Sequence, residues 1–430
     1  MLHDSKGILA NFFPGQGFLN KQLYPKDLRD YAPRAGFAYS PKRAKRIVIR
    51  GGYGIFYDSQ AVNSFDSASS SNGATTGIAY NPGGTDPVFG LSAQNVVFQT
   101  GVPVFGGTVP VPPFGAFAIS QGYRTPYSQN FNLNVQTQIT SSTLWQVGYV
   151  GTMGRRLAVL EDINQPINGV RPFAQQFPTL GAINELTTAA TSNYNSLQTS
   201  VHQQFWKGLT ANVNYTWSHA IDTASTFTTP MNSYNLELDK GDSTFDTRHI
   251  LTGFVSYEAP QWAPFAPRLT KGWQFHALIT YTSGSPLLIT DGKNIDQTGE
   301  NKDRPNLIGD PFANVPVLTN TRAVQYLNPA AFALSPVGTY GNLGRDAIFG
   351  PGIGSVDFSV FKRTPITERI MSEFRIETLN LFNRTNWANP TTNFSSGTFG
   401  RLTNTRNGAS APGLGFGEPR NVQLALKLIF

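Results

Sequence analysis

Residues 420–430 read RNVQLALKLIF. Taken two at a time, Val422, Leu424, Leu426, Leu428 and Phe430 share one face, and Asn421, Gln423, Ala425, Lys427 and Ile429 share the other. Strict alternation marks a strand, because successive side chains leave a pleated backbone on opposite sides. The apolar face runs through to a terminal aromatic residue. The same grammar recurs upstream. NFNLNVQTQI (130–139) sets Phe131, Leu133, Val135, Thr137 and Ile139 against Asn130, Asn132, Asn134, Gln136 and Gln138. LTANVNYTW (209–217) sets Leu209, Ala211, Val213, Tyr215 and Trp217 against Thr210, Asn212, Asn214 and Thr216. The polar faces are amides and hydroxyls, with almost no charge.

Eleven segments carry this pattern: 32–40, 47–57, 128–139, 143–151, 195–205, 209–218, 248–258, 273–283, 355–363, 370–382 and 419–430. Most are longer than the roughly five or six residues usual in soluble sheets, and they suit the roughly nine to eleven tilted residues that cross a bilayer. Their connections alternate. Short turns fall at 41–46, 140–142, 206–208 and 364–369, with a medium one at 259–272; long loops fall at 58–127, 152–194, 219–247, 284–354 and 383–418. A meander with every second connection short has one smooth end and one elaborate end, as outer-membrane barrels do. The fold expected is therefore all-β, an antiparallel meander forming part of a transmembrane β-barrel. Tyr53, Tyr57, Trp145, Tyr149, Tyr215, Trp217, Tyr257, Trp273 and Tyr281 lie near strand ends, where amphipathic rings meet lipid headgroups. An amide-rich opposite face suits an aqueous lumen better than a soluble surface, where Lys and Glu would dominate. SEFRIETLNLF (372–382) departs from that rule: Glu373, Arg375 and Glu377 share one parity and should form a short charge ladder facing the lumen.

Composition agrees. Of 430 residues only 14% are charged and 12% are aromatic, against about 25% charged in ordinary soluble domains. No apolar run approaches the roughly 18 residues of a membrane helix. The absence of Cys removes disulfide frameworks, thiolate metal sites and Cys nucleophiles. The net charge of +7 does not argue for nucleic acid, because the one dense basic cluster, KRAKR at 42–46, sits in a tight turn and the rest is scattered. The opening MLHDSKGILANFF has no basic region followed by an apolar core, so it is not a signal peptide. If the long loops are extracellular, the first strand begins outside and the last ends in the periplasm, giving an odd count. Single-chain barrels of this type start and end in the periplasm with an even count, so at least one strand is expected upstream of this sequence.

Several phrases together resemble a known family: YAPRAGFAYSP with IRGGYGIFYD, YSQNFNLNVQ with GYVGTMGRRL, NYNSLQTSVHQQFWKGLTANVNYTWSHAID, STFDTRHILTG, GTYGNLGRDAIFGPGIGSVDFSVFK, and FRIETLNLFNRTNW leading to FGRLTNTRN. From about residue 8 onward the chain is similar to the C-terminal half of the Oar-like TonB-dependent receptors of acidobacteria. The resemblance implies a 22-stranded outer-membrane barrel, about eleven of whose strands lie in residues 1–430, together with a plug and an energy-coupling box that this sequence does not contain. The partners implied are outer-membrane lipid, the barrel-assembly machinery, the TonB complex acting through the plug, and a nutrient ligand of unknown identity. It also explains the ending. Outer-membrane proteins carry a C-terminal assembly signal, whose spacing Gln423, Ala425, Leu428 and Phe430 match, with Ala in place of Gly and Leu in place of a frequent aromatic.

Catalytic and metal constellations are not found. The five His (3, 202, 219, 249 and 276) form no HExxH or i, i+4 pair; His202 and His276 fall on lumen-facing parity. GGYGIF (51–56) lies in a strand pattern with no helix after it, so it is no phosphate loop, and its glycines suit a bend or close packing. DGKNIDQTGENKD (291–303) holds scattered carboxylates without the spacing of an EF-hand; a solvated loop is the default reading and calcium the lesser alternative. No catalytic residue, cofactor or metal is expected, and an enzyme is not. The leading functional expectation is energised uptake by an outer-membrane receptor; the alternatives are a surface or adhesion protein without active transport and a soluble all-β binding protein.

Overall fold

The computed structural model describes residues 27–44, 46–58, 114–120, 122–176, 178, 180–226, 229–319, 321–406 and 419–430. The N-terminal stretch and most of the long loop at 58–127 lie outside the described residues. Eleven strands follow one another in one sheet: β1 (Arg34–Tyr39), β2 (Ile47–Tyr57), β3 (Tyr127–Gln138), β4 (Thr143–Asp162), β5 (Leu180–Trp206), β6 (Leu209–Asp222), β7 (His249–Glu258), β8 (Trp273–Thr282), β9 (Ile353–Pro365), β10 (Met371–Leu379) and β11 (Asn421–Ile429). Each pairs antiparallel with the next, and among the described residues β1 and β11 do not pair with each other.

The register carries the alternation across the whole sheet. One row runs Gln136, Gln146, Ser200, Asn214, Thr252, Thr280, Ser355, from β3 to β9 without a charge or a hydrocarbon. The row beside it, on the opposite face, runs Val135, Val147, Thr199, Tyr215, Leu251, Tyr281, Gly354. All nine aromatics assigned to the girdles share the apolar face, by the same pairings. The polar face has apolar exceptions that the amide pattern did not suggest: Phe254 opposes Leu278 there, and both are exposed.

Two strands are much longer than expected. β4 and β5 were expected to stop at 151 and start at 195; they pair instead out to Asp162 opposite Asn184. The segment expected as a loop at 152–194 is therefore mostly a hairpin arm projecting beyond the wall. A bulge between Gly154 and Leu157, with Arg156 in the left-handed region, bends the arm where it leaves the wall. A further strand, Phe114–Ile119, pairs parallel to the start of β5 and breaks the simple meander. Phe117, Ile119, Tyr123 and Leu186 form a small core beneath it.

The wall itself has no interior. The larger core sits in the connections at the long-loop end, where Leu287, Ile289, Leu327, Ala331, Phe332, Leu343, Ile348 and Phe399 pack together. These residues come from the segments expected as open loops at 284–354 and 383–418. Two-residue ladders tie them: Pro286–Leu287 with Ile348–Phe349, Asn306–Leu307 with Phe332–Ala333, and Val324–Gln325 with Arg401–Leu402. The result is a folded cap at one end of the sheet. At the other end the turns stay tight. Lys207 and Gly208 both have positive φ, 49° and 88°, between Trp206 and Leu209, giving a two-residue hairpin whose twist matches the strands. A Cβ at Gly208 would also strike the Glu258 carbonyl oxygen on the neighbouring strand. Gly208→Ala should lower thermal stability by about 1–3 kcal/mol, combining strain and clash. Gly338→Ala, at φ 80° with open space around it, should lose only the strain. Equal losses in melting experiments on the two variants would refute this account of the turn.

Candidate functional site: the loop cap and the inner wall

The cap is held by arginines that reach across long sequence distances to buried acids. Asp222, at the end of β6, is 3% exposed and pairs with Arg345, which also donates to the Asp222 carbonyl at 2.9 Å. Ser225 and Ser243 donate to the same carboxylate at 2.8 and 2.5 Å. Arg304 bridges Asp239 Oδ1 at 2.6 Å and the carbonyls of Leu238 and Leu343 at 2.6 and 2.9 Å. Arg248 reaches Asp246 at 3.2 Å and Asp242 at 3.0 Å, while Asp246 accepts the Ala220 amide at 2.7 Å and Asp242 lies 2.6 Å from His219 Nε2. Arg171 holds Asp162 at 3.0 Å near the tip of the projecting arm. WSHAID, GDSTFDTRHI and GNLGRDAIF thus carry the pairs of Arg345 with Asp222 and of Arg248 with Asp242 and Asp246, while Arg304–Asp239 and Arg171–Asp162 lie outside them. Sequence reading gave these residues no role. The available signal was the concentration of Asp and Arg in connections of an otherwise charge-poor chain.

On the polar face of the sheet Glu373 is 1% exposed and accepts from Arg363 Nε at 2.6 Å and Arg375 Nε at 2.5 Å. The expected ladder is thus gathered in part: Glu373 and Arg375 touch, Arg363 on the paired strand β9 joins them, and Glu377 stands further along, opposite Ser359 and Gln423. Aromatic rings extend the cluster. The Arg375 guanidinium lies 4.7 Å over Phe361, whose ring meets His276 edge-on at 4.7 Å, and His276 stacks on Phe254 at 6.4 Å. Near the short turns a recess of about 310 Å³ is lined by Arg46, Gln136, Gln138, Ser142, His202 and Gln204 among others. His249 lies on the apolar face, where it stacks on Tyr215 and meets its hydroxyl at 2.8 Å.

The C-terminal strand pairs along its length with β10, from Asn421 opposite Leu379 to Ile429 opposite Met371. Gln423 and Ala425 oppose Glu377 and Arg375 on the polar face, while Leu428 opposes Ser372 on the other face. Phe430 is 87% exposed.

Asp346 tests the electrostatics of the cap. It is 1% exposed, and both carboxylate oxygens lack a hydrogen-bond partner among the described residues. Burial pushes its carboxyl up to about 6; Arg345, 3.7 Å away, and Arg304 oppose the rise, while Asp222 and Asp242 add to it. The folded state then holds this proton more tightly than the unfolded chain does. The associated stability is complete below about pH 3.8 and is lost as pH rises through about 6. Asp346→Asn should therefore raise the melting temperature at pH 7.5, by about 1–3 kcal/mol of stability, with the gain vanishing toward pH 4. Asn also suits the positive φ of 56° at this position. A gain independent of pH would overturn the electrostatic explanation.

Comparison with known proteins places the chain. The outer membrane beta-barrel domain matches residues 7–423, and the chain belongs to that family. It is an outer-membrane protein whose strands build the barrel wall. No curated protein matches it. Among solved structures it is similar to the outer membrane transporter YddB from Escherichia coli, at 10% identity and a TM-score of 0.46, covering 93% of this chain and 40% of that one. The FrpB iron transporter from Neisseria meningitidis aligns at 10% identity and a TM-score of 0.43, covering 93% and 39%. The siderophore receptor PiuA from Acinetobacter baumannii aligns at 9% identity and a TM-score of 0.42, covering 92% and 35%. The chain spans about two fifths or less of the length of these structures.

Proposed function

We propose that residues 1–430 are the C-terminal barrel part of an Oar-like TonB-dependent receptor that binds a nutrient at its loop cap and takes part in its energised import. The observation that carries this reading is the asymmetry of the sheet: tight turns at one end and, at the other, a cap with its own core over a polar face poor in charge. A passive pore has no need of a folded cap, whereas a receptor needs a shaped surface for capture. The reading is of a receptor and not of an enzyme. In it the cluster of Arg363, Glu373 and Arg375, with Glu377 beyond, faces the lumen as a contact for a plug or a passing substrate. The TonB complex acts through a plug supplied outside this sequence. Uptake of the limiting nutrient by cells expressing the receptor should stop when TonB is deleted or the proton gradient is collapsed. Uptake that persists at the wild-type rate under both conditions would refute energised transport.

The same reading makes the final strand, with Gln423, Ala425, Leu428 and Phe430, the recognition element for the barrel-assembly machinery, read by edge pairing. Deletion of Phe430 should reduce the heat-modifiable barrel in the outer membrane severalfold. Wild-type amounts of assembled barrel in that deletion would remove the assembly role.

A further inference from the structure

The connection between β7 and β8 reads APQWAPFAPRLTKG (259–272), and it is built inside out. The Thr270 side chain is buried, and its hydroxyl donates to the carbonyls of Ala263 and Ala266, each at 2.9 Å. The large apolar side chains point outward, with Phe265 91%, Leu269 71% and Trp262 60% exposed. A turn in water sorts its side chains the other way. The turn at 140–142, at the same end of the sheet, is Thr-Ser-Ser.

The connection is stiff, with prolines at 260, 264 and 267, and it is fastened to the apolar face of the sheet. Trp273, one of the girdle residues, donates its indole N–H to the Leu269 carbonyl at 2.7 Å, and its ring lies 6.5 Å from that of Trp262. Lys362, opposite Trp273 on β9, donates to the carbonyls of Arg268 and Lys271 at 2.9 and 2.5 Å and stands 5.6 Å over the Trp273 ring. The exposed Trp206 shares this face, opposite Leu209, whose partner is Tyr257; the Lys207 ammonium lies 5.1 Å over its ring.

The charges of this patch have one sign. Lys207, Arg268, Lys271 and Lys362 have no ion pair among the described residues, and residues 259–272 contain no acid. The nearest acid in sequence, Glu258, falls on the opposite parity, facing Gln274 on the polar side. Outward apolar rings flanked by cations suit the boundary between hydrocarbon and phosphate. Trp and Tyr sit there at headgroup level, and Lys and Arg extend toward the phosphates. The patch is continuous with the apolar face that lipid covers, so lipid reaches its edge.

We propose that residues 259–272 anchor the turn end of the wall in the adjoining lipid leaflet, with Phe265 and Leu269 in hydrocarbon and Arg268, Lys271 and Lys207 on the phosphates of anionic phospholipids. Such an anchor serves a receptor and a passive barrel alike.

The chain lacks Cys, so Phe265→Cys and Ser141→Cys each give a single labelling site. Each variant is labelled with bimane, purified in detergent, and titrated with phosphatidylglycerol or phosphatidylcholine carrying a nitroxide near the top of the acyl chain. Quenching should be strong at position 265 and weak at 141. Phosphatidylglycerol should saturate it at a severalfold lower concentration than phosphatidylcholine. Adding Arg268→Gln/Lys271→Gln to Phe265→Cys should weaken the phosphatidylglycerol response on the order of tenfold and leave the phosphatidylcholine response unchanged. High salt should act on the two lipids in the same way. Equal quenching at 265 and 141 would overturn the anchor and leave a protein partner to cover the patch. Equal responses to the two lipids with Arg268 and Lys271 in place would overturn the headgroup assignment, a comparison that stands even if the cation variant folds poorly.

Discussion

Hydrocarbon offers no partner to a peptide group, and the rest of the structure depends on that constraint. Every N–H and C=O that crosses the membrane must be paired within the protein. The continuous ladder meets this requirement on both sides of every strand between β1 and β11, and on one side of those two among the described residues. Because a pleated strand exposes alternate residues to its two sides, the ladder also sorts side chains. Val135, Tyr215 and Tyr281 go to one solvent and Gln136, Asn214 and Thr280 to the other. Slippage by one residue anywhere would present amides to lipid, so chemical difference between the two solvents fixes the register.

This is why the wall was legible in the sequence. Period two needs only neighbours, and it exposed all eleven strands and the faces of their residues. Legibility failed where one of its conditions failed. Beyond Gly151 and before Asn195 both faces of the β4–β5 arm meet protein or water, the alternation lapses, and the strands read as loop. Phe254 and Leu278 break the alternation on the polar side, where they stand opposite each other and Phe254 stacks on His276. Glu373 and Arg375 were visible by parity, two residues apart; Arg363 was not, because its approach to Glu373 depends on the register of the β9–β10 hairpin.

The cap was the least legible part, for a physical reason. Its stabilising pairs join distant segments: Arg345 reaches Asp222 across 123 residues, and Arg304 reaches Asp239 across 65. No local pattern records such a partnership. A short apolar residue such as Ile289 or Phe399 carries no period to show that it is buried. The cap resembles a small soluble domain in these respects, with a closed core and satisfied ion pairs, although it is made wholly from connections.

The uncharged row across the polar face has an electrostatic consequence. Fixed charges on a channel wall set up a field that favours one sign of solute and repels the other. The row from Gln136 to Ser355 sets up almost none, since amides and hydroxyls turn either a donor or an acceptor toward whatever passes. Along this row, cations, anions and neutral solutes meet nearly the same electrical landscape. The fixed charges of this face are gathered instead at a few places, Arg50 and the cluster of Arg363, Glu373 and Arg375, so any preference for the sign of a solute has to come from them or from the loop cap.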